Sequence, residues 1–184
     1  MGRLSSRILL RVEHPSPGAV ARGLRRLAGQ FLGALALSGA ELSLVLTTDA
    51  RVRRLNRLWR GKDRATDVLS FPAAPHPGDP GARALGDVVL SLDTARRRAR
   101  QDGRPLGREL GRYLAHGLLH LLGHDHQTPG EARRMARAEA RLLGGAGMLD
   151  PVAEGAPPAR RTRARRAPGQ NAAPTPAQKR KSLR

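Results

Sequence analysis

The stretch HGLLHLLGHDH, residues 116–126, holds four of the six histidines in a chain of 184 residues. On a helix, residues four apart stand on one face about one turn apart, so His116 and His120 can direct both imidazoles at one ion. At about 100° per residue, Leu106, Leu110, Leu114, Gly117, Leu118 and Leu121 form an apolar face, and the two histidines run along its border. Gly123 suits the left-handed turn that ends a helix. His126 then has enough chain before it to fold across the helix end as a third ligand. Three imidazoles with an open fourth position are the donor set of a catalytic zinc site, whereas a structural site is closed by four protein ligands.

The spacing H-x-x-x-H-x-x-G-x-x-H is that of the metzincin metalloproteases, with one departure. Zincins place a glutamate general base directly after the first histidine, and this chain has Gly117 there. A peptidase without that base is poorly supported. Asp125 can orient an imidazole from behind the ligand shell, and His124 can serve as acid or base, merely contact the substrate, or compete with His126 for the ion. With no cysteine in the chain, neither a disulfide nor a thiolate metal site is available, so His, Asp and Glu are the only side-chain ligands.

These residues must be positioned by a domain of ordinary size. ILLRVEH (8–14) reads as a strand closed by Pro15, and Val20, Leu24, Leu27, Phe31 and Leu35 mark a helix over 19–37 that Gly39 ends. ELSLVLT (41–47) alternates as a half-buried strand, and Thr48 or Asp49 caps a helix through Val52, Leu55 and Trp59. After the loop RGKDRA come a third strand, TDVLSF (66–71), a Pro- and Gly-rich loop to about Ala84, and a fourth strand, LGDVVLSL (85–92). Helices follow over 94–100, 105–122 and 129–143. The expectation is an α+β domain with a mixed four-stranded sheet and about five helices, and there is no internal repeat.

The formal net charge is +19. Beyond residue 150 the chain changes character: residues 151–184 carry nine Lys and Arg against the single acid Glu154, six of the fourteen prolines, and no aromatic residue. Such a segment cannot bury enough apolar surface to offset its ordering entropy. The expected division is therefore a catalytic domain over 1–149 and a disordered basic tail over 150–184. A strong positive field favours polyanions, nucleic acid first among them, although an Arg-rich composition also follows from codon bias. The apolar run between Arg7 and Arg11 is too short for a signal peptide or membrane span, so no membrane association is expected and a cytoplasmic protein is.

LNRLWRGKDRATDVLSFP (55–72) and LGDVVLS (85–91), leading to HGLLHLLGHDH, resemble the YbeY family of bacterial metal-dependent endoribonucleases, and the similarity extends over most of residues 8–144. The resemblance implies an α+β, zincin-like fold, one zinc ion at the positions of His116, His120 and His126, and a functional arginine at Arg60. It implies cleavage of single-stranded RNA, 3′-end maturation of the small-subunit (16S) ribosomal RNA, and ribosome quality control. Partners would thus be precursor rRNA and the small ribosomal subunit. Family members often carry Tyr where this chain has His124, and Pro where it has Ala65, which leaves the role of position 124 open.

The residues themselves agree with that picture. Arg60, beside Lys62 and Arg64, can fork onto two phosphate oxygens and oppose charge that grows in a transition state. RNA also brings its own 2′-hydroxyl as nucleophile, so a missing glutamate need not prevent cleavage. Arg60 and His124 are accordingly the candidate catalytic residues, with His116, His120 and His126 as metal ligands. Two other functions fit parts of the pattern: a ribosome-associated RNA-binding factor with a structural zinc, and, least supported, a metallopeptidase.

Overall fold

The computed structural model describes residues 5–74 and 84–147. Most of the Pro- and Gly-rich loop and the tail expected to be disordered lie outside the described residues. The elements run β1 (Arg7–Val12), α1 (Val20–Ala34), β2 (Glu41–Thr47), α2 (Asp49–Arg60), β3 (Val68–Pro72), β4 (Ala84–Ser91), α3 (Leu92–Gln101), α4 (Leu106–Leu121) and α5 (Pro129–Gly145). The sheet order is β1-β2-β4-β3, with β1, β2 and β4 parallel and β3 antiparallel on the edge. The architecture is thus α+β with a mixed four-stranded sheet, as the sequence pattern implies.

Side chains alternate across each strand, and both faces are used. Leu42, Leu44, Leu46, Val68, Val88 and Leu90 point into the main core with Leu24, Phe31 and Leu32 of α1 and Leu110, Leu114 and Leu118 of α4. Leu69 and Val89 point the other way and pack with Val52 of α2, flanked by Val45, Leu55 and Phe71. The helix that carries two of the histidines therefore lies on one face of the sheet and α2 on the other.

α4 is buried more completely than a one-sided apolar stripe implies. Glu109, Tyr113, Ala115 and Leu119 are buried in addition to the leucines, because α1, α3, α5 and the sheet all touch this helix. Burial pushes the Tyr113 hydroxyl above its ordinary value, and its hydrogen bond to the Glu109 carboxylate pushes it further. α1 also departs from expectation: it ends at Ala34, before Gly39. Ala36 takes the left-handed conformation (φ 55°), its N–H reaches the Gly33 carbonyl, and Leu37 N–H reaches that of Leu32 at 3.0 Å. This is a glycine-type helix stop made without glycine, and Leu37 gains contact with the core.

The N-termini of α2 and α3 are tied together by carboxylates. Asp49 accepts from the Ser91 hydroxyl, from Thr94 Oγ1 at 2.6 Å and from Arg97 at 3.1 Å. Asp93 accepts from the Asp49 backbone N–H and from His14 Nε2, each at 2.9 Å. His14 Nδ1 itself accepts from Ser16 N–H, so in the neutral ring the proton sits on Nε2 and points at Asp93. Burial raises the Asp49 carboxyl, but the hydrogen bonds from Ser91, Thr94 and Arg97 outweigh it and the group lies below its ordinary value of 3.8. Its stabilisation is therefore present above that value and lost as pH falls through the lower folded-state value. Asp49→Asn should lower unfolding stability at pH 7 by about 1–3 kcal/mol, and urea denaturation should show the gap to the parent protein closing under acid conditions.

Candidate metal centre

The centre is built on the last turns of α4 and the chain reversal that follows. Gly123 has φ 83°, its N–H bonds the His120 carbonyl at 3.1 Å, and His124 N–H bonds the Leu119 carbonyl at 3.0 Å. These two bonds make the left-handed helix ending that the glycine foreshadows. Asp125 then takes the His126 N–H at 2.7 Å and the Gln127 side-chain amide at 2.7 Å. Thr128 caps α5 in a reciprocal pair with Glu131, with Pro129 in the first turn. The short loop bearing His126 is thus anchored at both ends.

His116, His120 and His126 come together, each offering a ring nitrogen within 4.8 Å of the other two. Their ring centroids are separated by 4.7, 5.5 and 5.1 Å. His116 and His120 approach through their Nε2 atoms at 3.2 Å. Two imidazole nitrogens on one tetrahedral ion, each at about 2.05 Å, would stand about 3.3 Å apart, so this pair fits a single ion. The other nitrogen of His116, Nδ1, lies 2.7 Å from Glu139 Oε1 on α5. A carboxylate only accepts, so Nδ1 carries the proton and the Nε2 lone pair faces the centre. Among the described residues no fourth His, Asp or Glu joins the group, and His126 is exposed.

Burial holds His120 below its ordinary value of 6.5, and its neighbours His116 and His126 lower it further. The neutral ring is the form that binds a metal ion, so this shift reduces competition from protons. The backbone of His124 is a hydrogen-bond partner of the His120 ring. His124 therefore touches the centre through its main chain, and its own imidazole stands outside the three-ring group. Arg60 is the last residue of α2, exposed, on the opposite sheet face from α4. Among the described residues its guanidinium has no ion pair or hydrogen bond.

Position 117 explains why a zincin-type glutamate is missing. A Cβ there would stand 2.8 Å from Val88 Cγ1 and 3.0 Å from both Ser70 Oγ and Val68 Cγ2. Ser70 Oγ also donates to the Gly117 carbonyl at 2.9 Å. The helix backbone is laid directly on β3 and β4, and a glutamate side chain has no room. One residue behind the ligand shell was not legible in the sequence: Asp125 was the expected support for an imidazole, yet it serves the loop backbone, and Glu139 holds a ring. Its only sequence signal is an acid bordering the buried stripe Met135, Ala138 and Leu142 of α5.

The family model for the endoribonuclease YbeY matches residues 19–147. The endoribonuclease YbeY of Anaeromyxobacter sp. (strain Fw109-5) is 51% identical over 153 residues, covering 83% of this chain and 79% of that protein. That of Myxococcus xanthus (strain DK1622) is 54% identical over 143 residues, covering 77% of this chain and 49% of that longer protein. A solution structure of a Thermotoga maritima protein aligns with a TM-score of 0.49 at 20% identity, covering 85% of this chain and 99% of that one.

If contact with the sheet sets the height of α4, Gly117→Ala should destabilise the metal-free protein by about 1–3 kcal/mol through overpacking. Thermal unfolding measures this, and an unchanged midpoint would mean that β3 and β4 yield without cost.

Proposed function

The chain belongs to the YbeY endoribonuclease family, and from that membership we propose a zinc-dependent endoribonuclease that cleaves single-stranded ribosomal precursor RNA during 3′-end maturation of the small-subunit rRNA. The observation that carries this function is the convergence of three imidazole nitrogens within 4.8 Å of one another. One zinc ion held there by His116, His120 and His126 would supply Lewis-acid polarisation of a phosphoryl oxygen and a water nucleophile at neutral pH.

The chain's own residues supply the remainder. Gly117 excludes a carboxylate base from the position where peptidases use one, which agrees with a substrate that carries its own hydroxyl nucleophile. Arg60, without a protein partner among the described residues, is available to a phosphate; a guanidinium forks onto two phosphate oxygens in a way a lysine cannot. Its partner would be the RNA backbone, and His124 is the candidate proton donor or acceptor beside the centre. The surplus of positive charge suits a polyanionic substrate, and association with the small ribosomal subunit in the cytoplasm follows from this substrate. Among the described residues no helix is long and apolar enough to cross a membrane.

The test is a defined single-stranded RNA incubated with zinc-loaded protein. The parent should bind about one zinc per chain and cleave; His116→Ala should lose both metal and cleavage, and full activity in that variant would reject the function. Arg60→Ala should keep its metal and weaken RNA affinity several-fold, the cost of removing one guanidinium contact to the RNA backbone. A cyclic phosphate on the product would assign the attack to the ribose hydroxyl, and a 5′-phosphate to water. Removal of residues 151–184 should flatten the dependence of RNA affinity on salt while metal content stays constant; an identical slope would mean that the tail meets no phosphate.

A further inference from the structure

Glu139 stands on a different helix from every candidate ligand, and it is the one carboxylate bonded to a ligand ring among the described residues. Its Oε1 is 2.7 Å from His116 Nδ1, and the two side chains are each about a third exposed, 30% and 33%. α5 brings it there by burying Met135, Ala138 and Leu142 beside it. The same helix begins at the Thr128–Glu131 cap, two residues after His126. Both ends of the centre therefore depend on one docked element. The N-terminus of α5 anchors the loop of the third ligand, and a side chain three turns later holds the ring of the first.

We propose that Glu139 is a positioning residue for the metal: its carboxylate fixes the His116 ring plane and tautomer and raises the donor strength of Nε2. This rests on the metal function proposed above. The physical reason is direct. An imidazole on a rotatable side chain presents either nitrogen to an ion, and only one choice leaves Nε2 beside the Nε2 of His120. An acceptor-only group on Nδ1 selects that choice before the ion arrives, so the rotational freedom of His116 is already lost in the metal-free protein. The carboxylate charge adds electron density through the ring, which an uncharged acceptor supplies only weakly. Asp125, with both oxygens engaged by His126 N–H and Gln127, cannot take over this role.

The experiment measures zinc affinity by competition with a chromophoric chelator, together with the rise in melting temperature on adding zinc, for the full chain and for Glu139→Gln and Glu139→Ala. Glu139→Gln keeps size and an acceptor oxygen but not the charge, and should weaken zinc binding several-fold. Glu139→Ala should weaken it by ten- to a hundredfold, with the zinc-induced rise in melting temperature reduced as the logarithm of that factor. The metal-free melting temperature of Glu139→Gln should match the parent, since a merely structural residue would shift that value and leave zinc affinity alone. Parental zinc affinity in Glu139→Gln would overturn the proposal, even if the alanine variant failed to fold. If the parent itself bound no zinc, the metal function would fall and this inference with it, so the two failures are told apart by the parent alone.

Discussion

The floor of the molecule is the contact between α4 and the sheet at Gly117. No side-chain atom separates the helix backbone from Val68, Ser70 and Val88, and the Ser70 hydroxyl bonds the helix carbonyl at that level. His116 precedes this contact and His120 follows it by less than a turn, so both rings leave the helix beside the level at which its backbone rests on the Val68, Ser70 and Val88 side chains. The same closeness removes the space in which a zincin would place its glutamate. A single packing contact therefore lies between the two histidines and fills the place where zincins carry a glutamate.

Charge and hydrogen bonding then act on a frame already held by packing. Burial lowers the proton affinity of the His120 ring, Glu139 bonds the His116 ring, and Asp125 serves the loop that delivers His126. Away from the centre, Asp49 and Asp93 tie the starts of α2 and α3 to each other and to His14. That tie fixes the base of the helix that ends in Arg60. Several acids of this very basic protein, Asp49, Asp93 and Glu139 among them, thus join two elements.

Much of this could be read from residue order. Alternation in ELSLVLT and the Thr48 cap located β2 and α2, and Gly123 announced the chain reversal. Local signals of this kind arise from residues that are neighbours in sequence, where φ, ψ and the helical period decide the outcome. Gly39 misled for the same reason: it is a plausible stop, but α1 ends at Ala34, with Ala36 left-handed and Leu37 packed against the core. The burial of Glu109, Tyr113 and Leu119 was equally out of reach, since a stripe on one helix does not reveal how many neighbours will surround it.

The three-histidine set, its glycine turn and the absence of a thiolate alternative were determined by the sequence alone, because those histidines lie within one helix and the loop that leaves it. Tertiary structure decided that the helix at position 117 lies against β3 and β4, that Arg60 stands on the other sheet face, and that Glu139 rather than Asp125 bonds the His116 ring. Each of these depends on which surfaces of distant elements meet. A helix can carry an acid at any point of its border, and only the docking of α5 on α4 determines which imidazole that acid reaches.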